Sequence, residues 1–126
     1  MFYTDNIEGI DILQKELPEE LQYWHKWGKI AELHYKHIYS EEYCDYISCI
    51  KMILQNSQEI HSIRLFLFNV NGEISFDMYN GFYSGLTIED CSDRGYEKNC
   101  KFRISSFEQD IGFEIYCEKI KAELIQ

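Results

Sequence analysis

Lysine and arginine are scarce in this chain of 126 residues: 12 of them stand against 22 aspartates and glutamates, a formal charge of -10. Phosphate contacts from clustered basic side chains supply most of a protein's affinity for nucleic acid. Here the basic residues are scattered, and only 98–103 is locally positive, so neither direct nucleic-acid binding nor attraction to an anionic membrane is expected. Proline occurs once, at Pro18, while Ile, Leu, Phe and Tyr run throughout; that composition argues against disorder. No run of about 18 apolar residues is present, which removes a transmembrane helix. The opening Met1-Phe2-Tyr3-Thr4-Asp5-Asn6 has neither the basic start nor the apolar stretch of a signal peptide, and a cytoplasmic address is expected.

Chemical motifs are missing too. The five cysteines, Cys44, Cys49, Cys91, Cys100 and Cys117, are odd in number and irregularly spaced, which predicts reduced thiols rather than a disulfide framework. Cys49 and Cys117 fall in apolar patterns and read as small core residues; Cys91 and Cys100 bracket a polar loop and are the pair best placed to oxidise. The acids Glu89, Asp90 and Asp93 around Cys91 oppose thiolate formation, so it is not expected to be a nucleophile. His34 and His37, at i and i+3, would share one face of a helix and could chelate a metal, with Glu41 or Cys44 as a third ligand only if the chain folds back. No Cys-x-x-Cys or His-Glu-x-x-His accompanies them, so no metal and no cofactor is expected. A small metal-binding protein or enzyme built on that pair is an alternative. Paired carboxylates such as Glu19-Glu20, Glu41-Glu42 and Glu89-Asp90 read as solvated groups rather than a general acid and base. With no phosphate-binding loop, calcium loop or nucleophile elbow, the chain is not expected to be an enzyme.

What is present suggests one α+β domain over 1–126. A short helix is predicted near 10–17. Pro18, Glu19 and Glu20 suit the first turn of another, in which Leu21, Trp24, Trp27 and Ile30 recur at helical spacing, followed by Leu33, His34, His37 and Ile38. Ser40 with Glu41 and Glu42 reads as an N-cap and first turn, and Tyr43, Tyr46, Ile47, Ile50, Ile53 and Leu54 as the stripe of a helix ending near 56–57. The expected sheet is antiparallel, with a central hairpin of strands near 62–70 and 73–79 joined by Asn71-Gly72, the strongest short hairpin signal. Further strands are expected at 86–88 and 101–105. Ser105 with Glu108, or Ser106 with Gln109, then satisfies a capping box for a C-terminal helix carrying Phe113, Cys117, Ile120 and Leu124.

The remaining signal is acidity mixed with aromatics, which make up 16% of the chain. Residues 1–20 hold six acids against Lys15. Two other stretches combine carboxylates with aromatic rings: 39–46 and 77–96. An acidic surface steers a basic partner toward itself, and Tyr anchors protein interfaces. The candidate partner-binding residues are Glu41, Glu42, Tyr43 and Asp45 in the first, and Asp77, Tyr79, Tyr83, Glu89, Asp90 and Asp93 in the second. In size, acidity, α+β pattern, want of an export signal and Ile/Asn/Lys/Tyr-rich composition, the chain resembles the immunity proteins of bacterial toxin–immunity systems, including contact-dependent growth inhibition. That resemblance is one of overall profile; no motif carries it and no family residue transfers. It implies an inhibitor that covers the active site of a basic toxin or nuclease, one to one, with an acidic, tyrosine-rich surface. A phage anti-CRISPR protein or DNA mimic is the alternative of the same physics.

Overall fold

A computed structural model describes every residue except Tyr3, Asp5, 77–84, Tyr96, 109–110 and Gln126, and gives the backbone alone at 107, 108 and 111. It is a mostly β protein. After one helix, α1 (Ile10–Glu16), and two 3-10 turns (Glu19–Leu21 and Trp24–Trp27) come β1 (Lys29–Ser40), β2 (Asp45–Gln55), β3 (Ser62–Phe68), β4 (Ser75–Phe76), β5 (Thr87–Asp90), β6 (Phe102–Glu108), β7 (Ile111–Cys117) and β8 (Lys119–Ile125). They form two antiparallel four-stranded sheets, ordered β1-β2-β3-β8 and β4-β7-β6-β5. The two sheets share one apolar core containing Leu13, Trp27, Met52, Leu65, Ile104 and Phe113. None of the helices among the described residues is long and apolar enough to cross a membrane.

The α+β expectation is therefore corrected, and the reason lies in how apolar residues are spaced. In β2 the inward positions Ile50, Met52 and Leu54 are buried, while the outward Ile47, Cys49 and Ile53 are half-buried. Apolar side chains on both faces of a strand generate a 3.6-residue stripe as readily as a two-residue one. The β-branched and aromatic content of 43–54 then favours the strand. The predicted C-terminal helix has a different cause. Phe113, Ile115 and Cys117 line one parity of β7, whereas Ile120, Ala122 and Leu124 line the other parity of β8. The phase slips at Glu118, where the chain passes from one sheet to the other, and the slip mimics a helical period. Ser105 and Ser106 are no caps; both are buried in β6, opposite Glu114 and Phe113.

The Asn71-Gly72 hairpin is also corrected. β3 forms as a strand, but β2 and β8 occupy both of its edges, so no edge remains for a following partner. Asn71 instead marks a crossing between sheets: its N–H donates to Tyr116 O at 2.8 Å, and its Oδ1 accepts from Glu73 N at 2.9 Å. β4 then pairs with β7. The short helix near 10–17 and strands close to those expected at 86–88 and 101–105 are present as α1, β5 and β6. The predicted helical stretch from Pro18 to Ile38 is two 3-10 turns as far as Trp27, and its second half, with Leu33, His34, His37 and Ile38, is strand β1 paired to β2.

Among the described residues, two of the four sheet edges are covered. Along β8, Glu8 N donates to Ile120 O (3.1 Å) and Ala122 N donates to Glu8 O (2.7 Å). Beside β5, Thr4 Oγ1 donates to Ile88 O (2.6 Å), and Asn6 Nδ2 to Asp90 Oδ2 (2.7 Å). β4, Ser75–Phe76, is followed directly by residues outside those described. The fourth edge, β1, runs for 12 residues and is exposed over nearly all of them.

Candidate functional site

β1 and β2 pair from Lys29↔Gln55 to Ser40↔Asp45, with one bulge between Ile30 and Glu32, but β3 pairs with β2 only from Cys49 onward. The last three rungs (Ser40↔Asp45, Tyr39↔Tyr46 and Ile38↔Ile47) therefore form a two-stranded ribbon extending past the body of the sheet. Residues 41–44 close it. Cys44 N donates to Glu41 O, and Cys44 takes a left-handed conformation (φ 52°) that lets so short a connection reverse the chain.

The tip is pinned rather than loose. Glu118, buried at the β7–β8 bend, accepts at Oε1 from the Tyr43 hydroxyl (2.5 Å) and from Asn69 Nδ2 (2.9 Å). Burial opposes the Glu118 charge, but these two hydrogen bonds and the nearby Lys98 and Lys101 outweigh it and hold the carboxyl below its usual range. Burial, the bond to Glu118 and the charges of Glu118 and Glu42 raise Tyr43 well above the usual phenol value. Lys98 Nζ lies 4.3 Å from the Tyr43 ring centre, and Lys119 pairs with Glu42 at 3.0 Å. Of the four acidic or aromatic residues expected here to meet a partner, Tyr43 and Glu42 thus anchor the turn.

Glu41 and Asp45 remain exposed and lack an ion-pair partner among the described residues; Asp45 Oδ1 accepts only its neighbour's N–H, that of Tyr46. Beside them stand two tyrosines that the sequence reading placed in the stretch but not among the contact residues. Tyr39 is 55% and Tyr46 59% exposed. Tyr46 stacks on His37 (5.4 Å between ring centres) and meets Tyr39 edge-on (5.5 Å). On the ribbon's other side a shallow groove of about 340 Å³ is floored by Ile38, Ile47 and Phe68 and rimmed by Lys119. The outcome is a preorganised, acidic aromatic tip.

Of the second expected cluster, the described residues are Glu89, Asp90 and Asp93. Glu89 is held between Arg94 (3.4 Å) and Arg103 (3.2 Å), which neutralise it. Burial opposes the charge of Asp90, yet hydrogen bonds from the Ser92 hydroxyl and N–H and from Asn6 prevail and lower its pKa. Asp93 is exposed, and Asp77, Tyr79 and Tyr83 lie outside the described residues. The metal pair separates as well. On a strand, residues three apart point to opposite faces; His37 shares a face with Tyr46, while His34 lies across from Lys51 on the other. Among the described residues no group of three or more His, Cys, Asp or Glu could hold a metal. Cys91 and Cys117 are buried free thiols, and burial raises both pKa values.

A second acidic surface surrounds α1. Glu8, Asp11, Glu16, Glu19 and Glu20 are exposed and make no ion pair among the described residues. The local excess of acids in residues 1–20 was the available signal for it. The chain matches no protein-family model, no curated protein and no solved structure at a significant level.

Proposed function

We propose that this chain is a protein-binding inhibitor that neutralises a basic toxin or nuclease by presenting the β1–β2 tip to its positively charged active site. One observation carries the reading: exposed Tyr39 and Tyr46, with Glu41 and Asp45 that have no ion-pair partner among the described residues, cluster at the end of a two-stranded ribbon whose turn is held by the Tyr43–Glu118 hydrogen bond, the exposed Glu42–Lys119 pair lying beside it. Fixing the turn beforehand lowers the ordering cost of association. The carboxylates supply steering and the rings supply buried contact, a division of labour that separates on-rate from off-rate.

The test is capture from a low-salt lysate of the native organism with the tagged chain, elution by rising salt, and identification by mass spectrometry. One basic protein near one to one is expected. With that partner in hand, Glu41→Lys with Asp45→Lys should slow association and flatten its salt dependence. Tyr46→Ala should raise the dissociation rate by an amount worth about 2 kcal/mol. Capture abolished by Glu19→Lys with Glu20→Lys, and untouched by the tip variants, would move the contact surface to the acidic face around α1 and defeat this reading.

A further inference from the structure

Among the described residues β1 is a long bare strand edge, whereas the edges at β8 and β5 are covered by the N-terminal segment. A long exposed strand edge is a template for pairing with another strand, and folded proteins generally blunt it. Among the described residues no strand pairs with the outer side of β1. Leu33 and Tyr35 stand beside it, 38% and 57% exposed. In a chain of charge -10, β1 carries two lysines and one glutamate, so copies meeting along it bring together little of the chain's negative charge.

The backbone fixes which groups are free. Ser48 O accepts from Val70 N, on the side of β2 away from β1. By the alternation of an antiparallel ladder, the odd-numbered residues of β2 bond to β1, and their partners there are Glu32, His34, Lys36 and Ile38. The N–H and C=O groups of Leu33, Tyr35 and His37 therefore point outward. Two copies of β1 meeting about a two-fold axis must pair outward-facing residues with one another. Only registers centred on a single residue satisfy that condition.

Charge then selects among them. Centring on Lys36 sets that lysine against its own copy. Centring on Tyr35 sets His34 against Lys36. Centring on His34 sets that histidine against its own copy at the axis, and flanks it with Glu32 against Lys36 twice and Leu33 against Tyr35 twice: opposite charges on one face, an aromatic–aliphatic pair on the other. Both kinds of cross-strand pair are stabilising. Lys36 has no ion-pair partner among the described residues, and Glu32 touches only His34 at 3.7 Å, so both groups are available. The β-bulge between Ile30 and Glu32 breaks the alternation beyond residue 32. By symmetry the ladder then covers 32–36 in each copy.

We infer that β1 is a self-recognition edge, through which two copies of this chain pair antiparallel about His34, with Glu32 of each opposite Lys36 of the other. The pairing joins the two β1-β2-β3-β8 sheets into one of eight strands. Glu41 and Asp45 lie beyond the paired stretch, so this inference stands apart from the tip's proposed role.

Sedimentation equilibrium of the full chain tests it. The wild type should dimerise with rising concentration. Glu32→Lys alone and Lys36→Glu alone should each weaken the dimer about 10- to 100-fold, since each turns two attractive pairs into two repulsive ones. Combining the two substitutions should restore it. Both side-chain changes lie on an exposed strand, and unchanged circular dichroism of the three variants would verify the fold. Hydrogen exchange adds a readout independent of charge: the Leu33 and Tyr35 amides should gain protection with concentration, while those of His34 and Lys36, bonded to β2, stay protected throughout. A wild type monomeric at every concentration would overturn the inference. So would single reversals without effect, a double reversal without rescue, or a dimer lost only on changing Glu41 and Asp45.

Discussion

Replacing Tyr43 with phenylalanine removes one hydroxyl and tests what holds the ribbon tip. That hydroxyl donates at 2.5 Å to Glu118, a carboxylate only 5% exposed. A hydrogen bond to a charged acceptor contributes about 1.5–3 kcal/mol, and its loss leaves Glu118 with Asn69 as its remaining side-chain donor. For a domain of this size the loss should lower Tm by about 5–10 °C. The pH dependence gives the sharper test. Glu118 has a folded pKa below its ordinary 4.5. Its contribution is therefore present above that ordinary value and is lost as pH falls through the folded one. Tyr43 has a folded pKa above its ordinary 10.0, so its contribution is complete below that value and fades as pH rises beyond it. The stability gap between wild type and Tyr43→Phe should be widest between about pH 5 and 9 and should close on both sides. Urea unfolding of both proteins across that range measures it. A gap below about 0.5 kcal/mol, or one that does not change from about pH 7 down to about pH 3, would refute the anchoring role of the ionised Glu118.

Gly9→Ala should be strongly destabilising. Gly9 has φ 89°, and an added Cβ would overlap the carbonyl oxygen of Ala122; relief requires the N-terminal segment to leave β8, and faster exchange of the Ala122 amide, which donates to Glu8, would report it. Arg103→Met should cost about 1–2 kcal/mol in urea unfolding, because Arg103 joins Glu89 of β5 to Glu114 of β7 and its removal leaves both carboxylates without that cation. If the stability of Arg103→Met equals that of wild type, the pairs are exposed ornaments to the fold.

Composition and short-range patterning, which act locally, were legible in the sequence. The acidity, the unpaired thiols, α1, β3, the strand near 102 and the 39–46 stretch as an acidic aromatic patch all follow from residues within a few positions of one another. Tertiary structure decided the rest. Whether 45–55 is helix or strand turned on β3 lying beside it, because its apolar residues fit either period. The one-residue phase slip at Glu118 looked helical until the chain was seen to change sheets there. Asn71-Gly72 could make a hairpin only if β3 had a free edge, and β8, from fifty residues further on, had taken it. The same long-range pairing sorted the tip's residues by role. Glu118 and Lys119, far from the turn in sequence, hold Tyr43 and Glu42, and Tyr39 and Tyr46 are left exposed. Local sequence fixes which side chains a segment carries; the partner across the sheet fixes which of them face out.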